Sequence, residues 1–150
     1  MPGLRVNRSI VFLLLIALMG CSNPKPESQP LAPGQEWKYK HREGEQESRL
    51  IILKLENGAD GTPLAHIAVT GLKTEDMTTV GHLPFTQKAV EQSTTELVGT
   101  VEYESEPEGY QQWRAAYDAG EAGTFVIPVS EALDLMTGIV EQSGDNEGSR

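Results

Sequence analysis

Leu50-Ile-Ile-Leu-Lys-Leu55, the turn signals in Asn57-Gly-Ala-Asp-Gly61, and Leu64-Ala-His-Ile-Ala-Val-Thr70 form the stretch that decides the fold. Two apolar runs separated by Asn-Gly and Asp-Gly pairs read as neighbouring strands. In the first, alternation puts Ile51 and Leu53 on one face and Leu50, Ile52 and the stem of Lys54 on the other. Gly71 closes the second. Upstream, Glu36-Trp-Lys-Tyr-Lys-His41 alternates in the same way, with Trp37 and Tyr39 on one side and charge on the other. Arg42-Glu-Gly-Glu-Gln-Glu-Ser48 between them reads as a polar turn centred on Gly44. Connections this short predict an antiparallel meander, because a parallel pair needs a long crossover.

Downstream the pattern changes. Thr74 to Thr79 reads as a loop, and Val80-Gly-His-Leu-Pro-Phe85 as an extended segment that Pro84 restricts to an edge or a strand end. Thr86 is placed to cap a helix from Gln87 to about Leu97, with Ala89, Val90, Ser93 and Leu97 toward the core. Val98 to Glu106 reads as a strand or a loop. A helix is expected from Tyr110 to Ala119, broken by Gly120 and Gly123. Thr124-Phe-Val-Ile-Pro-Val129 reads as a further strand. Ser130 is placed to cap a last helix from Glu131 to about Val140, with Leu133, Met136 and Val140 on one side. The expectation is an α+β domain: an antiparallel meander sheet in the first half with two or three helices packed on it. One such domain over residues 35–142 suits the length, with a polar tail at 143–150.

The N-terminus carries a different message. Arg5 and Arg8 precede the apolar run Ile10 to Met19, and Gly20 and Cys21 follow. A basic flank, a short apolar run and a small residue at the cut make a secretory signal peptide. The run of about ten residues falls well short of the roughly 20 that a membrane-spanning helix needs. Leu18-Met19-Gly20-Cys21 resembles the lipobox of bacterial lipoproteins. That resemblance implies cleavage after residue 20 and lipidation of Cys21, which becomes the N-terminus. Cys21 is the only cysteine of the 150 residues, so an exported chain has no disulfide partner for it. Ser22-Asn-Pro-Lys-Pro-Glu-Ser-Gln-Pro-Leu-Ala-Pro-Gly34 reads as a Pro-rich tether spanning, with Cys21, residues 21–34. Ser22 is not the aspartate that marks inner-membrane retention in Gram-negative lipoproteins. In a Gram-negative source the resemblance therefore implies the outer membrane, facing the periplasm.

Charge narrows the partners. Loss of residues 1–20 removes two arginines and no acid, leaving 10 basic against 22 acidic side chains, a net of −12. Such a chain is repelled by nucleic acid and by anionic lipid surfaces. Cationic proteins, divalent cations and neutral polymers fit it better.

Few residues point to chemistry. There is no Gly-x-Ser-x-Gly elbow and no Gly-rich phosphate cradle, so no organic cofactor is expected. His66 shares its strand face with Leu64 and Ala68, and His82 lies in the next extended segment, so the two can become cross-strand neighbours. With a carboxylate such as Glu75 or Asp76 they would make a weak zinc-site candidate, with His41 weaker still. A histidine among small apolar residues more often bonds a backbone carbonyl. Tyr110, Trp113 and Tyr117 recur at helical spacing with Arg114 beside them. The stripe reads first as core, and any exposed part as an interface anchor. Glu102, Glu104 and Glu106 read as a solvated face or as a docking surface for a basic partner. Three readings follow: a lipid-anchored, non-catalytic accessory or protein-binding module; an inhibitor or immunity-type protein capping a cationic cell-wall hydrolase; and a metal-dependent enzyme around His66 and His82.

Overall fold

The computed structural model describes residues 29–74, 77–103 and 108–144, with side chains through Gly138. The alternating runs form strands β1 (Gln35–Tyr39), β2 (Arg49–Asn57) and β3 (Pro63–Thr70). They continue into β4 (Thr79–Thr86), helix α1 (Gln87–Ser93) and β5 (Thr94–Thr100), then helices α2 (Glu108–Asp118) and α3 (Val129–Gly144). One sheet holds all five strands in the order β4-β3-β2-β1-β5, every neighbouring pair antiparallel. The fold is α+β, with the meander of β1 to β4 in the first half.

The turn between β2 and β3 is built by Asp60, whose carboxylate accepts from both the backbone and the hydroxyl of Thr62 at 2.9 Å. Both faces of the sheet are covered. On one face Trp37, Tyr39, Leu50, Ile52, Ile67, Val69 and Phe85 pack beneath Ala89 and Val90 of α1 and Val129, Ala132 and Leu133 of α3. Leu31 joins this core, and the Gly34 amide donates to Ile52 at 2.8 Å, so packing reaches back into the tract before β1. On the other face Ile51, Leu53 and Ala68 form a small cluster, and α2 lies over the neighbouring histidines.

Four expectations are corrected. The pairing of β2 with β3 slips between Ile52 and Lys54, so Leu53 is an extra residue. Such a bulge moves everything after it to the opposite side. Lys54 therefore joins the face of Ile51 and His66, not that of Leu50 and Ile52. The helix from Gln87 stops at Ser93 rather than Leu97. The Ser93 hydroxyl donates back to the carbonyl of Ala89 at 2.8 Å. Beyond it the β-branched pair Thr94-Thr95 starts β5 on the edge that β1 leaves open, with Trp37 opposite Leu97. Leu97 still packs against the core, but from a strand.

The segment Thr124–Val129 is not a strand; Phe125 alone bridges β4. Its amide donates to Pro84 and its carbonyl accepts from Thr86, both at 2.9 Å. Pro84 has no N–H to return, so the ladder cannot extend toward Gly123, and at its other end β4 gives way to α1 at Gln87. Pro84 does lie on an edge strand, as expected. Finally, Ser130 does not cap α3: the helix starts at Val129, whose amide donates to the buried Ser93 hydroxyl at 3.1 Å.

The polar turn from Arg42 to Ser48 also hides more than its composition suggests. Glu45 is only 3 % exposed and Ser48 is buried against the Tyr39 hydroxyl at 2.7 Å. The Arg42 fork grips Glu45 at 2.9 and 2.6 Å, and the Lys73 amide donates to the same carboxylate at 3.0 Å. Arg42 also donates to Asp134 and Thr137 on α3. One ion pair thus ties the β1–β2 connection to the β3–β4 loop and the last helix.

Candidate functional site

The residues with chemical potential converge beneath α2. The bulge in β2 turns Lys54 and Glu56 toward the face of His66, which sits opposite Lys54 on β3. On β4, Pro84 sits opposite His66, so His82, two residues away on the same face, lies diagonally beside it. Their ring nitrogens, His66 Nδ1 and His82 Nε2, are 3.0 Å apart. His66 Nε2 lies 2.9 Å from Glu56 Oε1. Glu56 further accepts from the Tyr110 hydroxyl at 3.1 Å and from Arg114 at 3.4 Å, while Lys54 donates to the Tyr110 oxygen at 2.7 Å.

Aromatic rings close the site. Tyr110 and Trp113 stand edge-on to His66 at 5.0 and 4.7 Å between ring centroids, and Tyr117 stacks on Trp113 at 4.7 Å. Trp113 donates its indole N–H to the Gly123 carbonyl at 2.9 Å. Close approach of α2 depends on Gly109, since a Cβ there would lie 3.0 Å from His82 Cβ. As a result His66 is fully buried, Tyr110 is only 8 % exposed and His82 is half-buried.

Electrostatics fix the protons. Burial alone would raise the Glu56 carboxyl, but Tyr110, His66 and Lys54 together hold it below the usual range. Burial pushes His66 down against the pull of Glu56, and burial with His66 alongside pushes His82 down to about 4. At neutral pH the carboxylate is ionised and both imidazoles are neutral. Glu56 is acceptor-only, so His66 carries its proton on Nε2 and accepts on Nδ1. His82 must then donate from Nε2, leaving its Nδ1 without a partner among the described residues. The sequence Glu56–His66–His82 is a directed relay of two hydrogen bonds.

The structure thus brings together His66 and His82 with the stripe of Tyr110, Trp113, Arg114 and Tyr117, which the sequence placed in separate readings. The backbone-carbonyl bond expected of His66 is replaced by Glu56 and His82. The carboxylate is Glu56; Glu75 and Asp76 lie outside the described residues, as do Cys21, Glu104 and Glu106. Glu102 is exposed beyond β5, and His41 is exposed and bonds the Arg42 carbonyl at 2.9 Å. Glu56 and Lys54 escaped the sequence reading because the bulge at Leu53 has no signature in residue type. Among the described residues no group of three His, Cys, Asp or Glu side chains is arranged to hold a metal ion. Nor is any described helix long and apolar enough to cross a membrane.

Fold and site together define a class: a five-stranded antiparallel α+β domain with a carboxylate–histidine–histidine cluster, buried at its central histidine, under an aromatic helix. No protein-family model, curated protein or solved structure matches the chain.

Proposed function

We propose that this protein is a lipid-anchored, non-catalytic binding module of the bacterial envelope. Leu18-Met19-Gly20-Cys21 supports the anchor, and in a Gram-negative source Ser22 supports delivery to the outer membrane, facing the periplasm. The observation that carries the non-catalytic half is closure of the polar cluster. A general base has to reach its substrate's proton, yet His66 is fully buried and the Glu56 carboxylate is engaged by His66, Tyr110 and Arg114. Glu56 and His66, the buried pair suited to acid–base work, are thus spent on one another and on docking α2, and among the described residues only the outer nitrogen of His82 is left over.

Two experiments test the reading. Cells fed labelled palmitate should label the wild-type chain and leave Cys21→Ser unlabelled and released from the membrane fraction. Crosslinking residues 21–150 carrying Cys21→Ser in an extract of their own envelope should then capture a specific partner. One basic partner lost as salt rises would narrow the role to an inhibitor or immunity-type cap on a cationic hydrolase, because the −12 charge would be doing the recognition. No specific partner at low or high salt would defeat the binding-module reading.

A further inference from the structure

We infer that His66 and His82 form a binding site for one divalent transition-metal ion of the zinc or copper class, with Glu56 as the supporting carboxylate behind His66. Three features of the pair carry this. First, His66 Nδ1 and His82 Nε2 already face each other at 3.0 Å. Two imidazole nitrogens, each about 2.0–2.1 Å from a tetrahedral zinc ion, stand roughly 3.3–3.4 Å apart. The change needed is a widening of a few tenths of an ångström together with a turn of the rings, whose nitrogens now aim at each other, so that both lone pairs converge on the ion; half-buried His82 is the partner that can move.

Second, Glu56 holds the far nitrogen of His66 at 2.9 Å. Metal-binding histidines are oriented in this way, their second nitrogen donating to a carboxylate that fixes the tautomer and raises ligand basicity. The nitrogen left with its lone pair is Nδ1, the one that faces His82. Third, binding needs no net loss of a proton. The proton on His82 Nε2 transfers to Nδ1, which has no partner among the described residues, and Nε2 becomes a ligand. Imidazole nitrogens suit zinc, copper and nickel, and the remaining positions fall to water, since no third protein donor is arranged there among the described residues.

The test uses residues 21–150 with Cys21→Ser and no affinity tag, titrated with zinc and with copper(II) chloride. Trp113 reports on the site, because its ring is 4.7 Å from that of His66, whereas Trp37 lies in the core on the opposite face of the sheet. The expected results are saturable, one-to-one quenching of Trp113 fluorescence by copper and a Tm that rises with zinc concentration. His82→Gln should abolish both. Glu56→Gln should weaken binding about 10–100-fold. Trp113→Phe should lose the quenching and keep the zinc-dependent Tm, and His41→Gln should change neither. In the unsubstituted pair, zinc should shift the 15N resonances of His66 Nδ1 and His82 Nε2, a readout that stands even if the His82 variant folds poorly. A flat titration, a response that survives His82→Gln, or ring nitrogens unmoved by zinc would overturn the site and leave the pair a packing contact.

Discussion

Replacing Glu45 by alanine probes an interaction that nothing in the composition of its segment advertises. The carboxylate is 3 % exposed, and Arg42 reaches it through two hydrogen bonds from a guanidinium whose side chain is 14 % exposed. Removing one partner of a buried pair costs about 3–5 kcal/mol, because the other charge stays behind in a poorly solvated place. Here Arg42 keeps Asp134 at 3.4 Å and Thr137 at 3.1 Å, which puts the loss at the lower end, about 3 kcal/mol. For a domain of this size that lowers Tm by on the order of 10 °C. Urea and thermal unfolding followed by far-UV circular dichroism would read it directly. Arg42→Ala and the double variant complete a cycle in which the second substitution should cost much less than it does alone. A loss below about 1 kcal/mol, or strictly additive substitutions, would refute the claim that this pair bears on stability.

The same carboxyl makes a prediction in pH. Hydrogen bonds from Arg42 hold it below its ordinary value, against the opposing effect of burial. A depressed folded-state value means that the unfolded chain binds the proton more readily in the acid range. This contribution is therefore fully present above the ordinary carboxyl range and is lost as pH falls through the folded value. Glu45→Gln should flatten that part of the acid limb. An unchanged pH slope would show that Glu45 titrates alike in both states.

Other substitutions test the frame around the site. Phe85→Ala empties a fully buried position beneath α1 and should cost about 3–5 kcal/mol in urea unfolding. Gly71→Ala should destabilise by about 2–3 kcal/mol, since φ is +71° and the new Cβ would lie 3.0 Å from the Glu47 carbonyl oxygen. Gly61→Ala, at φ +81° with open space around it, should cost only about 1 kcal/mol, and equal losses would remove the steric argument. Long-range 1H–15N spectra at neutral pH without added metal should show His66 protonated on Nε2 and bare on Nδ1. The reverse pattern would break the relay from Glu56.

Much of the sheet is legible in residue type. The alternation of Trp37 and Tyr39, the Asn-Gly and Asp-Gly signals, and Pro84 as an edge residue each express a local rule that the tertiary structure obeys. The site is legible only in part. His66 and His82 can be paired on paper because adjacent antiparallel strands bring alternate residues together. Glu56 cannot, because the register past Leu53 depends on a bulge that packing selects rather than sequence. Helix α1 shows the same limit. Gln87 to Leu97 carries helical periodicity, yet the open edge of β1 offers Thr94 to Thr100 a ladder of backbone hydrogen bonds that outweighs it. Glu45 is hidden for a third reason: a charge-rich turn reads as solvated unless the partner that neutralises it is already known.

The position of β1 bears on the order in which the molecule can assemble. The first strand among the described residues is internal in the sheet, flanked by β2 on one side and β5 on the other. Strands β1 to β4 pair with near neighbours in sequence, so this part of the sheet can zip up while the later chain is still being made. Joining Trp37 to Leu97 closes a loop of some sixty residues, and such long-range closure is slow compared with hairpin formation. Until it happens, β1 presents a bare edge to its surroundings, and a second nascent chain could take the place reserved for β5. The hazard in the life of this protein therefore falls late in folding, at a strand made early.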